Sequence, residues 1–131
     1  MRVLVLGIVF GVAVSGPVFA DPMVGVWATA PDHKGQIAHV KAQRCGESLC
    51  GRITHAFDKS GKEVTTPNVG KRLFWDMKPA PKGGYKGKGW LPSRDMVFNA
   101  KVKVSGNQMT VRGCIAMICK SQTWTRVKAS S

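Results

Sequence analysis

Acidic residues are scarce in this chain of 131 residues: seven Asp and Glu stand against 20 Lys and Arg. Two of the seven are Glu and five are Asp, and no two have the spacing that sets a general acid against a second carboxylate. Paired-carboxylate hydrolysis is therefore poorly supplied. No Gly-x4-Gly-Lys-Ser/Thr run is present, which excludes a phosphate loop of the nucleotide-binding kind. Ser60 has no nucleophile-elbow motif around it. Neither cysteine pair is Cys-x-x-Cys, so dithiol redox catalysis has no motif to rest on. The histidines are His33, His39 and His55. His33 sits in a Pro31-Asp32 turn and His39 reads as outward. His55 falls on the apolar side of its strand, where a core histidine bonded to backbone is the ordinary outcome. These absences point to a protein that is not an enzyme, with no cofactor and no metal.

What is present begins with an export signal. Arg2 is a minimal basic start, Val3 to Val14 is almost wholly apolar, and Gly16-Pro17 breaks any helix. Val18-Phe19-Ala20 then forms a small-residue cleavage site ahead of Asp21. An uncleaved anchor is the rival reading, since Val3 to Ala20 approaches the roughly 18 apolar residues that span a bilayer. Cleavage is favoured because Pro17 and the small-residue site sit where a signal peptidase needs them. Residues 1–20 are thus read as a signal peptide and 21–131 as one domain, exported to a bacterial periplasm or beyond. No second apolar run follows, so the mature chain is not expected to span a membrane.

All four cysteines lie in two brackets of identical spacing, Cys45-x4-Cys50 and Cys114-x4-Cys119. In a hairpin with a four-residue loop the flanking residues face each other on one side of the sheet. Alternation puts Cys45, Cys50, Cys114 and Cys119 on polar sides, so each bracket is expected to close on itself as a disulfide. Pairing between brackets and a four-cysteine zinc site are the alternatives. An oxidising compartment argues against zinc.

The mature region reads as strands. Phe98, Ala100, Val102 and Val104 alternate with Asn99, Lys101, Lys103 and Ser105, giving a half-buried strand with a basic outer side. Ser105 to Gln108 is a tight turn, after which Met109 and Val111 continue the inner side. Ala38, Val40 and Ala42 oppose His39, Lys41 and Gln43. Leu49, Gly51, Ile53, His55 and Phe57 oppose Cys50, Arg52 and Thr54. Other candidate strands are Val24 to Ala30, Arg72 to Met77, Tyr85 to Leu91 and Cys119 to Val127, while Asp58 to Gly70 reads as the longest loop. About eight short strands with Gly, Pro and Asn punctuation indicate an all-β fold, an antiparallel barrel or alternatively a sandwich.

Removing Arg2 with the signal leaves 19 Lys and Arg against seven acids, a net charge of +12. That balance suits anionic partners such as lipopolysaccharide or anionic lipid, and it equally serves to keep an envelope protein soluble. The local concentration from Lys78 to Trp90 alternates lysines and glycines with Tyr85 and Trp90. It reads either as a solvated connection or as a loop able to hold phosphate or stack on a ring. Nothing indicates specific nucleic-acid recognition.

Several segments together carry a family resemblance. Asp21-Pro22 with Gly25-x-Trp27, Cys45-Gly46 through Leu49-Cys50-Gly51-Arg52-Ile53, and the run from Val111 through Cys114, Cys119, Trp124 and Arg126 to Val127 form one signature. It resembles the bacterial envelope family known as domain of unknown function 2147. In the middle of the chain, Asp95-Met96-Val97 stands where the family usually has a glycine, and its Asn-Pro-Asp-Pro segment is absent. The resemblance implies a small exported β-barrel without an established biochemical role. Gly25-x-Trp27 and Arg126 also look lipocalin-like, which implies a tryptophan at the closed end of the barrel packed beneath an arginine.

The leading expectation is a lipocalin-like barrel binding a small amphipathic or apolar ligand. The candidate lining is Trp27, Val40, Ile53, His55, Phe98, Val102 and Met109, with Arg126 beside Trp27. The alternative is a basic interaction module whose outer residues Lys41, Arg52, Lys101, Lys103 and Arg112 bind lipopolysaccharide, anionic lipid or an acidic partner.

Overall fold

The computed structural model describes residues 21–128. The expected signal segment, residues 1–20, lies outside the described residues. Nine strands follow in order: β1 (Gly25–Ala28), β2 (Ile37–Cys45), β3 (Ser48–Phe57), β4 (Glu63–Val64), β5 (Arg72–Pro79), β6 (Tyr85–Leu91), β7 (Met96–Ser105), β8 (Gln108–Ile115) and β9 (Ile118–Arg126). Every ladder is antiparallel. β2 pairs with both β1 and β3, and the ladder runs on through β5, β6, β7 and β8 to β9, which returns to β1. Eight strands therefore close on themselves, as a barrel and not as the alternative sandwich. Closure removes most of the sheet edge that an open arrangement would leave. β4 is an addition that pairs only with the end of β3, Ala56↔Val64 and Phe57↔Glu63. It lies inside the segment expected to be loop.

Alternation is the local cause of this fold. Ala100 and Val102 on β7, Met109 on β8 and Trp124 on β9 are buried, while Lys101, Lys103, Thr110 and Thr123 between them are exposed. Shifting any of these strands by one residue would exchange lysine for valine inside, so register is strongly specified. Turn chemistry agrees: Gly46 and Gly106 have positive φ in the two-residue turns after β2 and β7.

Two corrections concern register. β2 and β3 pair His39↔His55 and then Val40↔Ile53, so Thr54 is one residue too many on β3. This bulge reverses the alternation beyond it. Ala56 becomes the buried residue and His55 turns outward, its side chain 51% exposed. The second correction concerns the first cysteine bracket. β2 and β3 meet across a two-residue turn, with Cys45↔Ser48 and Gln43↔Cys50, so the two cysteines are diagonal and not directly opposite. They still share the outer side, their Cα atoms are 5.8 Å apart, and they are bonded. In the second bracket Cys114 and Cys119 are directly opposite, with Cα atoms 4.1 Å apart, and are also bonded. No free cysteine remains.

The chain direction sorts the connections between the two ends of the barrel. The turns after β2, β5 and β7, the first disulfide and residues 21–24 lie at one end. The loops after β1, β3, β6 and β8, with the second disulfide, lie at the other.

Candidate functional site

The end carrying residues 21–24 is closed by Trp27, fully buried and the largest side chain that is so. Its indole N–H donates to Met23 O at 2.9 Å. The Arg126 guanidinium lies over its ring at 4.3 Å and donates to Val24 O (3.0 Å) and Pro22 O (2.8 Å). Gly25 explains the Gly-x-Trp spacing. It has a φ of 137°, and a β-carbon there would come within 2.8 Å of Arg126 Nη1. Asp21 continues the seal by accepting a hydrogen bond from the Tyr85 hydroxyl. Burial, and after it this bond to Asp21, pushes the Tyr85 pKa up to about 12.

Above this seal the barrel is hollow. A cavity of about 620 Å³ opens at the opposite end, within the range typical of small-molecule sites. Its floor is Met23, Phe74, Met77, Met109 and Trp124, and its walls include Ile53, Phe98, Ala100, Val102 and Val111. Four of the chain's six methionines line it, Met23, Met77, Met96 and Met109. Unbranched thioether side chains adapt readily to ligands of different outline. Room is made by glycine: the Phe98 ring lies against Gly89 on one neighbouring strand and Gly113 on the other, where β-carbons would collide with it. Polar groups gather at the opening: Asp32, His33 and Gln36 from the β1–β2 loop, Asn68 from the loop before β5, and Ser93 and Arg94 from the β6–β7 loop. Lys120 and Gln122 add a charged and an amide group on the β9 side.

The opening extends down one side. β1 meets β9 only at Trp27↔Arg126 and Ala28↔Thr125. From Ile118 to Gln122, β9 ladders with β8 alone, and its inward residues Lys120 and Gln122 are correspondingly exposed.

Of the residues expected to line the cavity, Ile53, Phe98, Val102 and Met109 are brought together there. Trp27, Val40 and Arg126 are not: they lie beyond the floor, in the seal and the lower core. His55 is removed by the bulge. It stands outside the barrel beside His39, at 6.1 Å between ring centroids, with Glu63 Oε2 4.0 Å from its Nε2. Partial burial, and then neighbouring His55, lower the His39 pKa. Sequence reasoning missed the floor residues Met23, Phe74 and Met77 and the polar rim. Lys120 carried a usable signal, since it shares its strand side with Trp124.

The family described as "Uncharacterized protein conserved in bacteria (DUF2147)" matches residues 25–126. The chain belongs to this family. No curated protein matches it. A solved structure described as "Protein HP1028 from the human pathogen Helicobacter pylori belongs to the lipocalin family" is similar at a TM-score of 0.64 and 15% identity. The likeness covers 81% of this chain and 83% of that one. At this identity the two share a fold, a lipocalin-like barrel, and the comparison carries no further. The two disulfides and the bacterial family are consistent with an exported protein. Among the described residues no helix is long and apolar enough to cross a membrane, and no three His, Cys, Asp or Glu gather as a metal site would require.

Proposed function

We propose that this protein binds a small amphipathic or apolar molecule inside its barrel, in the bacterial periplasm, and performs no chemistry on it. The observation that carries this reading is the cavity itself: an apolar, methionine-rich floor beneath a polar rim, sealed at one end and open at the other. A barrel of eight strands can hold one such ligand or be filled by its own side chains, and here the interior is open. The ligand's apolar part would rest on Met77, Met109, Phe74 and Trp124. Arg94 and Lys120, the basic residues of the lining, favour an anionic head at the rim. Binding at a ligand concentration a hundredfold above Kd would stabilise the fold by about 2.7 kcal/mol.

Native mass spectrometry of protein purified without detergent, with thermal unfolding across fatty acids and single-chain phospholipids, tests this. The expected result is adduct masses and a raised Tm with at least one class. Val111→Trp, which fills the half-buried wall of the cavity, should abolish both while leaving the circular dichroism spectrum intact. A clean apo mass with no thermal shift from any member of the panel would defeat the proposal.

A further inference from the structure

Among the described residues, the five large hydrophobic residues that stand exposed, Val69, Met96, Val97, Met117 and Ile118, all lie at the open end. Met117 and Ile118 are the most exposed, at 96% and 70%. They occupy the tip of the β8–β9 hairpin, whose two-residue turn, Ala116-Met117, includes a positive φ at Ala116. The Ile115↔Ile118 pair lies directly beneath the turn and the Cys114–Cys119 disulfide directly beneath that pair. The tip is therefore a covalently closed prong and not a fraying loop. β7 flanks it: Asn99 pairs with Cys114, which sets Val97 beside the hairpin's end.

Charge on this side of the barrel is distributed to match, while the open-end acids Asp32, Asp58 and Glu63 lie on the far side, around β2, β3 and β4. No Asp or Glu follows Asp95 in the chain, so β7, β8 and β9 contain no acid. Their outer side, with that of β6, presents Lys86, Lys88, Lys101, Lys103 and Arg112. Asp95 itself accepts a hydrogen bond from the Trp90 indole at 2.8 Å. An apolar tip continuous with an acid-free cationic wall is complementary to one kind of surface, apolar below and anionic at its boundary.

We infer that the open end docks on an anionic phospholipid bilayer. Met117 and Ile118 enter the boundary between headgroups and acyl chains, and the barrel leans on its β6–β8 wall. Arg112 lies five residues along β8 and its turn from Met117, or roughly 17 Å at strand rise, so the lean is needed to bring it to the headgroups. In this pose the cavity mouth is tilted towards the lipid. Docking does not require the cavity to be occupied, so it stands or falls apart from the ligand reading.

The test is flotation of the mature protein with vesicles of phosphatidylcholine mixed with phosphatidylglycerol, against vesicles of phosphatidylcholine alone. Flotation is expected with the mixed vesicles and should fall with added salt. Met117→Asp with Ile118→Asp should lower partitioning roughly thirtyfold. Lys101→Glu with Arg112→Glu should lower it roughly tenfold or more. Lys41→Glu, on β2 across the barrel, should change it less than twofold, and Val111→Trp should float like the parent. Each variant's fold is checked by circular dichroism. Absence of flotation by the parent, equal binding to both vesicle types, an unaffected tip variant, or a Lys41 variant as impaired as the Lys101 and Arg112 pair would each overturn the inference. The last result would mean that net charge acts without orientation.

Discussion

The two ends of the barrel solve opposite problems with the same hairpins. At the closed end the polar groups near Trp27 are spoken for: the indole N–H by Met23, the Arg126 guanidinium by three carbonyls and a ring, the Tyr85 hydroxyl by Asp21. At the open end the loops bond mainly to themselves, as when Asp32 Oδ1 accepts from the Lys34 and Gln36 amides and Asp58 Oδ1 from Ser60 and Lys62. Those local bonds keep Asp58 ionised below the usual carboxylate range, the Ser60 hydroxyl contributing most. They hold loops in shape without tying them across the mouth. Stability is thus concentrated where nothing has to enter, and access where little stability resides.

The largest effect that would sharpen this contrast is expected from Trp27→Ala. Removing a fully buried indole should cost about 3–5 kcal/mol in urea unfolding, whereas Met117→Ala, at the exposed tip, should stay within about 0.5 kcal/mol. Comparable losses at the two positions would break the comparison. A smaller effect is expected from the cysteines. Each bond closes an equally short loop, so Cys45→Ser with Cys50→Ser and Cys114→Ser with Cys119→Ser should each cost about 2 kcal/mol. Hydrogen exchange should separate them: the second pair should release amides only near Ile115 and Ile118, the first only near the β2–β3 turn. The smallest effect concerns pH. Tyr85 is the chain's single tyrosine, so tyrosinate absorbance reports it alone. Its folded pKa, about 12, lies above the ordinary value near 10. Its contribution is therefore complete below pH 10 and is lost as pH rises towards 12. Native protein should titrate near 12 and urea-unfolded protein near 10, and Asp21→Asn should move the native value down. A native midpoint near 10 would mean that the Asp21 seal is not closed in solution.

Much of the barrel was legible because its strands are amphipathic with period two. β6 runs from Tyr85 to Leu91, as the alternation implies, and β7 to β9 hold their sides from Phe98 to Arg126. Illegible was whatever depends on a single inserted residue. Thr54 looks like any outward threonine, yet as the bulge residue it expels His55 and brings in Ala56. A bulge is settled by the partner strand, and one strand's pattern cannot contain that information. Depth along the barrel was hidden for a related reason. Alternation says which side of the sheet Trp27, Val40 and Met109 share, but not that Met109 reaches the cavity floor while Trp27 lies in the seal beneath it. The cationic wall was readable in part, since Lys101, Lys103 and Arg112 fall outward by simple alternation. That it adjoins the bare tip of the last hairpin emerges only when Asn99 is seen to pair with Cys114.

The seam between β1 and β9 has one more implication. Two rungs, at Trp27 and Ala28, and a bond from Val127 N–H to Val26 O just below them join these strands, while the remaining barrel ladders stay intact if the seam parts above them. A long, thin guest need not thread the rim end-on. Under the proposed binding role it would be free to slide in sideways, as a page enters a half-sewn binding, and the bulk of the guest would then be limited by how far that slit widens.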